Sequence, residues 1–86
     1  MKVIKLNRRF KKFSEGYTHA IRWDSWAHNN VGDYEKYLSS IHGFHGYRRG
    51  YPWYSGFGSH NPKTGYKPYY IYVKKENMIT MALLAV

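Results

Sequence analysis

Between residues 43 and 70 the chain reads GFHGYRRGYPWYSGFGSHNPKTGYKPYY, with nine aromatic rings, six glycines, four Lys or Arg and no Asp or Glu. A guanidinium holds phosphate through two parallel hydrogen bonds and also lies flat on planar rings. Exposed aromatic rings stack on unpaired bases, contributing about 1–3 kcal/mol per base. Glycine lets the backbone come close to a partner. Together these residue types offer recognition of a planar, anionic ligand rather than the making and breaking of bonds. They are densest at Tyr47-Arg48-Arg49-Gly50-Tyr51 and continue through Trp53, Tyr54 and Phe57. The mixture of rings and guanidiniums suits single-stranded RNA or DNA better than a duplex groove. A core role explains any one of these rings in a small domain, but a loop cannot bury all of them at once.

A second basic stretch lies at the N-terminus. The first twelve residues hold six of the fourteen Lys and Arg and no acid. Residues 1–13 therefore read either as an edge strand with a basic turn or as an arm that orders on a phosphate backbone. Phe10 and Phe13, three apart, favour the ordered form. The expected contact set is then Arg8, Arg9, Lys11, Lys12, Arg48, Arg49, Lys63 and Lys67 for phosphate. Tyr47, Tyr51, Trp53, Tyr54 and Phe57 are the expected stacking faces.

Named motifs fit this region poorly. Arg49-Gly50-Tyr51 opens like the RNA-recognition sheet motif, and Pro52-Trp53 then departs from it. Gly43-Phe44-His45-Gly46 has the form of a GXXG clamp, with no second helix after it. Lys63-Thr64 lacks the glycines of a phosphate loop.

Catalytic and metal chemistry are weaker readings. His42 and His45 are three apart, with His28 and His60 elsewhere, but a zinc site needs three or four ligands and the chain has no cysteine. Asp24 or Asp33 would have to complete the set. A metal-independent nuclease could use His42, His45 or His60 as acid and base with Lys63 on the phosphate, yet nothing in the spacing aligns them. Ser25, Ser39, Ser40, Ser55 and Ser59 sit in no nucleophile elbow. The expectation is a binding domain, not an enzyme, without metal or cofactor.

The net charge of +9 on 86 residues creates a field that favours nucleic acid or an acidic protein surface. Such a protein could also act as an inhibitor or adaptor of the size phages encode. It would then dock the same Tyr/Trp/Arg surface on a host polymerase, nuclease or defence complex. The opening MKVIKL carries no apolar run of signal-peptide length, and no segment is long enough to span a bilayer. These features and the absence of cysteine predict a cytoplasmic setting and no membrane partner.

The elements that must position these residues can be read from periodicity. One domain, 1–86, is expected. Residues 1–6 read as a strand. Residues 17–23 read as a second, with Tyr17, His19, Ile21 and Trp23 on one face. Residues 31–42 read as a helix whose stripe is Tyr34, Tyr37, Leu38 and Ile41, with Asn30 as N-cap and Gly43 as stop. Residues 43–67 read as a long ordered loop with a short edge strand at 51–54. Residues 68–75 and 78–84 read as a hairpin, the last strand central because it is apolar on both faces. The order β-β-α-loop-β-β predicts an α+β domain with a mainly antiparallel sheet of about four strands and one packed helix.

Overall fold

A computed structural model of the chain describes residues 2–25, 30–43 and 52–86. Four strands form one antiparallel sheet: β1 (Lys2–Lys5), β2 (His19–Trp23), β3 (Trp53–Phe57) and β4 (Tyr69–Val73), in the spatial order β1-β2-β4-β3. Among the described residues two α-helices pack on the sheet, α1 (Val31–His42) and α2 (Glu76–Ala85). The α+β class and the four-stranded antiparallel sheet agree with the periodicity.

Alternation along β4 divides the molecule. Tyr69, Ile71 and Val73 point to one face, and Tyr70 and Tyr72 to the other. On the first face the helices close a core of Ile21, Trp23, Val31, Tyr34, Leu38, Trp53, Met78, Ile79 and Ala82 around the β4 residues. On the second face Leu6, Tyr17 and Ala20 form a smaller cluster, flanked by Ile4, Phe10, Tyr54, Tyr70 and Tyr72. Tyr17 precedes β2 and joins this second cluster, so it leaves the face that strict alternation assigned to it. His19 is half-buried, and its Nδ1 lies 2.9 Å from the Thr18 hydroxyl.

The main helix spans the residues expected of it. Val31, Tyr34 and Leu38 are buried, Tyr37 packs against the core, and Ile41 stays 60% exposed at the end of the stripe. Asn30 sits at the N-cap position, but its side chain bonds elsewhere. The Trp23 indole N–H donates to Asn30 Oδ1 at 2.8 Å. Gly43 ends the helix with φ of +85°, a conformation that glycine adopts without a Cβ clash, and its N–H donates to the Ser39 carbonyl.

The expected last strand is a helix. Residues 78–84, MITMALL, are apolar at nearly every position, which fits a buried strand and a helix equally in period. Met, Ala and Leu are strong helix formers, and Glu76 in the first turn suits the positive end of the dipole. The central strands are therefore β2 and β4, and α2 packs Met78, Ile79 and Ala82 on the sheet.

The N-terminal segment is ordered. After β1 the chain turns at Arg8 and Arg9 and winds into a short 3-10 helix, Lys11–Glu15. Gly16 closes it at φ of +98°. Phe10 packs on the second cluster, whereas Phe13 remains exposed.

One close approach fixes how β3 leaves the sheet. The Gly58 N–H donates to the Pro68 carbonyl at 2.7 Å. A Cβ on Gly58 would lie 2.7 Å from Tyr70 Cε2 and 2.9 Å from Pro68 Cγ. Tyr70 cannot swing away freely because it stacks on Tyr72 with ring centroids 5.5 Å apart and planes 13° from parallel. Gly58→Ala is expected to cost about 1–3 kcal/mol through overpacking. Urea denaturation followed by circular dichroism checks this, and an unchanged midpoint would contradict the packing described.

Candidate nucleic-acid interface

The face of the sheet away from the helices brings cations and rings together. Strand register sets two rows across it. One row runs Lys2, Arg22, Tyr70, Gly56, and the other Ile4, Ala20, Tyr72, Tyr54. The N-terminal segment folds over the second row through Leu6, Phe10 and Tyr17. Where it meets the end of β3 a cleft of about 420 Å³ opens, lined by Phe10, Lys11, Lys12, Phe57, Gly58, Ser59 and Tyr72.

The fold thus brings together residues distant in sequence. Lys11 and Lys12 come from the basic N-terminal stretch and Phe57 from the glycine-rich one, and all three line this cleft. Arg8 and Arg9 are exposed on the preceding turn. Phe57 is 60% exposed, its ring edge-on against Tyr69 at 4.9 Å, so it borders the cleft at the strand's end. Lys63 and Lys67 are exposed on the β3–β4 connection together with Tyr66. That connection is held by its own bonds: Asn61 Oδ1 accepts from the Lys63 N–H, and the Gly65 and Asn61 backbones close the turn.

Other expected site residues have different roles. Trp53 is fully buried in the core under the helices, and its indole N–H donates to the Gly43 carbonyl at 3.0 Å. Its position in β3, paired with Val73, points it to the helical face, so it offers no stacking surface. Tyr54 is half-buried among Tyr17 and Tyr72, with the Lys12 ammonium 4.0 Å from its ring centroid. Lys12 also pairs with Glu15 at 3.1 Å, so part of its charge is already neutralised inside the fold. Tyr47, Arg48, Arg49 and Tyr51 lie outside the described residues, as do His28 and His45.

Tyr70 and Tyr72 were not among the expected site residues. The alternation of β4 was the signal that could have found them, because it places both opposite Ile71 on the face without helices. Burial pushes the pKa of the Tyr72 hydroxyl up to about 12, with further contributions from neighbouring Tyr70, Tyr54 and Glu15. Burial also raises Tyr17, aided by Glu15 and Tyr54. An unfolded tyrosine ionises near 10. The folded state prefers the neutral phenol, so this contribution to stability is complete below about pH 10 and is lost as pH rises toward 12. Tyrosinate absorbance and near-ultraviolet circular dichroism should therefore change together in that window. Ionisation of every tyrosine near pH 10 with the fold intact would speak against this burial.

A second depression, of about 540 Å³, lies between the end of α1 and the start of α2, lined by Tyr37, Ile41, His42, Lys75, Met78 and Met81 among others. On the sheet's helical side the Ser55 and Tyr69 hydroxyls both donate to Glu35 Oε2 at 3.3 Å, which ties α1 to β3 and β4. Among the described residues no group of three or more His, Cys, Asp or Glu is placed to hold a metal ion, and no helix is long and apolar enough to cross a membrane. No protein-family model, curated protein or solved structure matches the chain.

Proposed function

We propose that this chain is a small basic domain that binds single-stranded RNA or DNA in the cytoplasm and catalyses nothing itself. The observation that carries the reading is the cleft in which Lys11 and Lys12 meet Phe10 and Tyr72, with Phe57 at its border. Cations for phosphate and rings for bases are there within reach of one ligand, with Arg8 and Arg9 extending the positive track. A net charge of +9 supplies the long-range attraction. Single-strand binding of this type combines a positive groove with sequence-tolerant stacking and depends strongly on salt.

Fluorescence polarisation with labelled oligodeoxythymidylate and oligouridylate, from about 50 to 200 mM salt, tests the proposal. Binding should weaken steeply with salt, and an unlabelled duplex should compete less well than a single strand. Absence of binding at about 50 mM salt would overturn it. A second reading makes the chain an inhibitor or adaptor acting on a larger enzyme, without Trp53, which is buried under the helices. The apolar groove beside Ile41 and Met81 favours it, since exposed apolar surface of this kind suits a protein contact. A stoichiometric protein partner that survives nuclease treatment, with no oligonucleotide affinity, would decide for the second reading.

A further inference from the structure

We infer that the open row of the sheet, Lys2, Arg22 and Tyr70, is a second subsite for the single strand, continuous with the cleft. The inference rests on the nucleic-acid reading above and extends it to residues outside the basic and glycine-rich stretches that suggested it.

Three observations place the subsite. Register makes Lys2, Arg22, Tyr70 and Gly56 direct cross-strand neighbours, so an ammonium, a guanidinium and an aromatic ring lie in line. The row ends in Gly56, with the Tyr54 ring packed beside it. The strip joins the cleft without a break, because Tyr70 lies against Gly58 and stacks on Tyr72, and both Gly58 and Tyr72 line the cleft.

The groups are also available. Lys2 is exposed, and the Arg22 side chain keeps 29% of its surface in solvent. Among the described residues Arg22 Nε is buried without an acceptor, and the Asp24 carboxylate stands 3.7 Å from Nη1. That is longer than a hydrogen bond, and Asp24 is itself exposed. A contact this long to an exposed carboxylate contributes little, so a phosphate can displace Asp24 from the guanidinium. A guanidinium carries its donors in a fork that matches phosphate. From β3 to β1 the row spans three strand spacings, about 14 Å. A sheet face of this kind accommodates about two or three bases. The strand therefore crosses the sheet perpendicular to β2 and β4, with one base on Tyr70 and phosphates at Arg22 and Lys2.

The test compares the wild type with Lys2→Gln/Arg22→Gln, using labelled oligodeoxythymidylates of about four and eight residues at about 50 to 200 mM salt. The wild type should bind the octamer at least about tenfold more tightly than the tetramer, and the double variant should lose most of that gain. The salt slope on the octamer should fall by about 1.4, because each phosphate contact to a single strand contributes about 0.7. Asp24→Asn should tighten binding about two- to threefold. It changes an exposed side chain, so it serves as the test if the double variant fails to fold. Unchanged octamer affinity in the double variant, or in Asp24→Asn, overturns the subsite. If Arg8→Gln/Arg9→Gln/Lys11→Gln still weakens binding, the cleft stands without it. Failure of the wild type to bind either oligonucleotide overturns the nucleic-acid reading as a whole.

Discussion

Trp53→Ala is expected to cost about 3–5 kcal/mol of folding stability, the range for deleting a fully buried aromatic side chain. A domain of 86 residues has on the order of 4–13 kcal/mol in total, so the variant should be marginal or unfolded at room temperature. Two effects act together. The indole is fully buried between the sheet and the helices, and its removal leaves a cavity. Alanine also brings no side-chain N–H, so the Gly43 carbonyl at the end of α1 loses its donor. Because β3 is an edge strand, Trp53 is a main tie between that edge and the core. Urea denaturation monitored by circular dichroism reads the loss. Trp53→Phe keeps most of the buried ring, so it should remain folded and bind oligonucleotide as the wild type does. A stable Trp53→Ala protein with weakened binding would instead return Trp53 to the interface.

The second large effect is on binding. Arg8→Gln/Arg9→Gln/Lys11→Gln removes three exposed cations beside the cleft and leaves Lys12, with its pairing to Glu15, in place. The expected result is a salt slope lower by about 2 and an affinity loss on the order of 10- to 100-fold at about 50 mM salt. Stability should change by no more than about 0.5 kcal/mol, since these side chains are exposed and Asn7 accepts from the Arg9 backbone N–H rather than its guanidinium. Arg48→Gln/Arg49→Gln is the companion measurement for the glycine-rich stretch. If neither variant moves the slope, phosphate contact by these residues is wrong and the single-strand reading goes with it.

Much of the fold was legible because its signals are local. The stripe of Tyr34 and Leu38 and the stop at Gly43 delimit α1. The alternation of Tyr69, Ile71 and Val73 assigns the inner face of β4. Gly16 marks the turn before β2. Where the pattern lost its period it lost its meaning: residues 78–84 are apolar at nearly every position, and helix propensity together with docking on the sheet decided their form.

Charge, the supply of rings and cations, and the faces of the periodic elements are all written in the order of the residues. Which rings stay open is settled only once the chain has packed. Trp53 and Phe57 lie four apart in one strand on the same face, yet one is sealed beneath the helices and the other is 60% exposed at the strand's end. The N-terminal cations reach the edge of β3 because the chain folds residues 6–17 back over the sheet, and Tyr70 meets Arg22 because β4 pairs with β2 across some fifty residues. Burial and long-range pairing depend on what packs where, and composition and spacing carry no record of that.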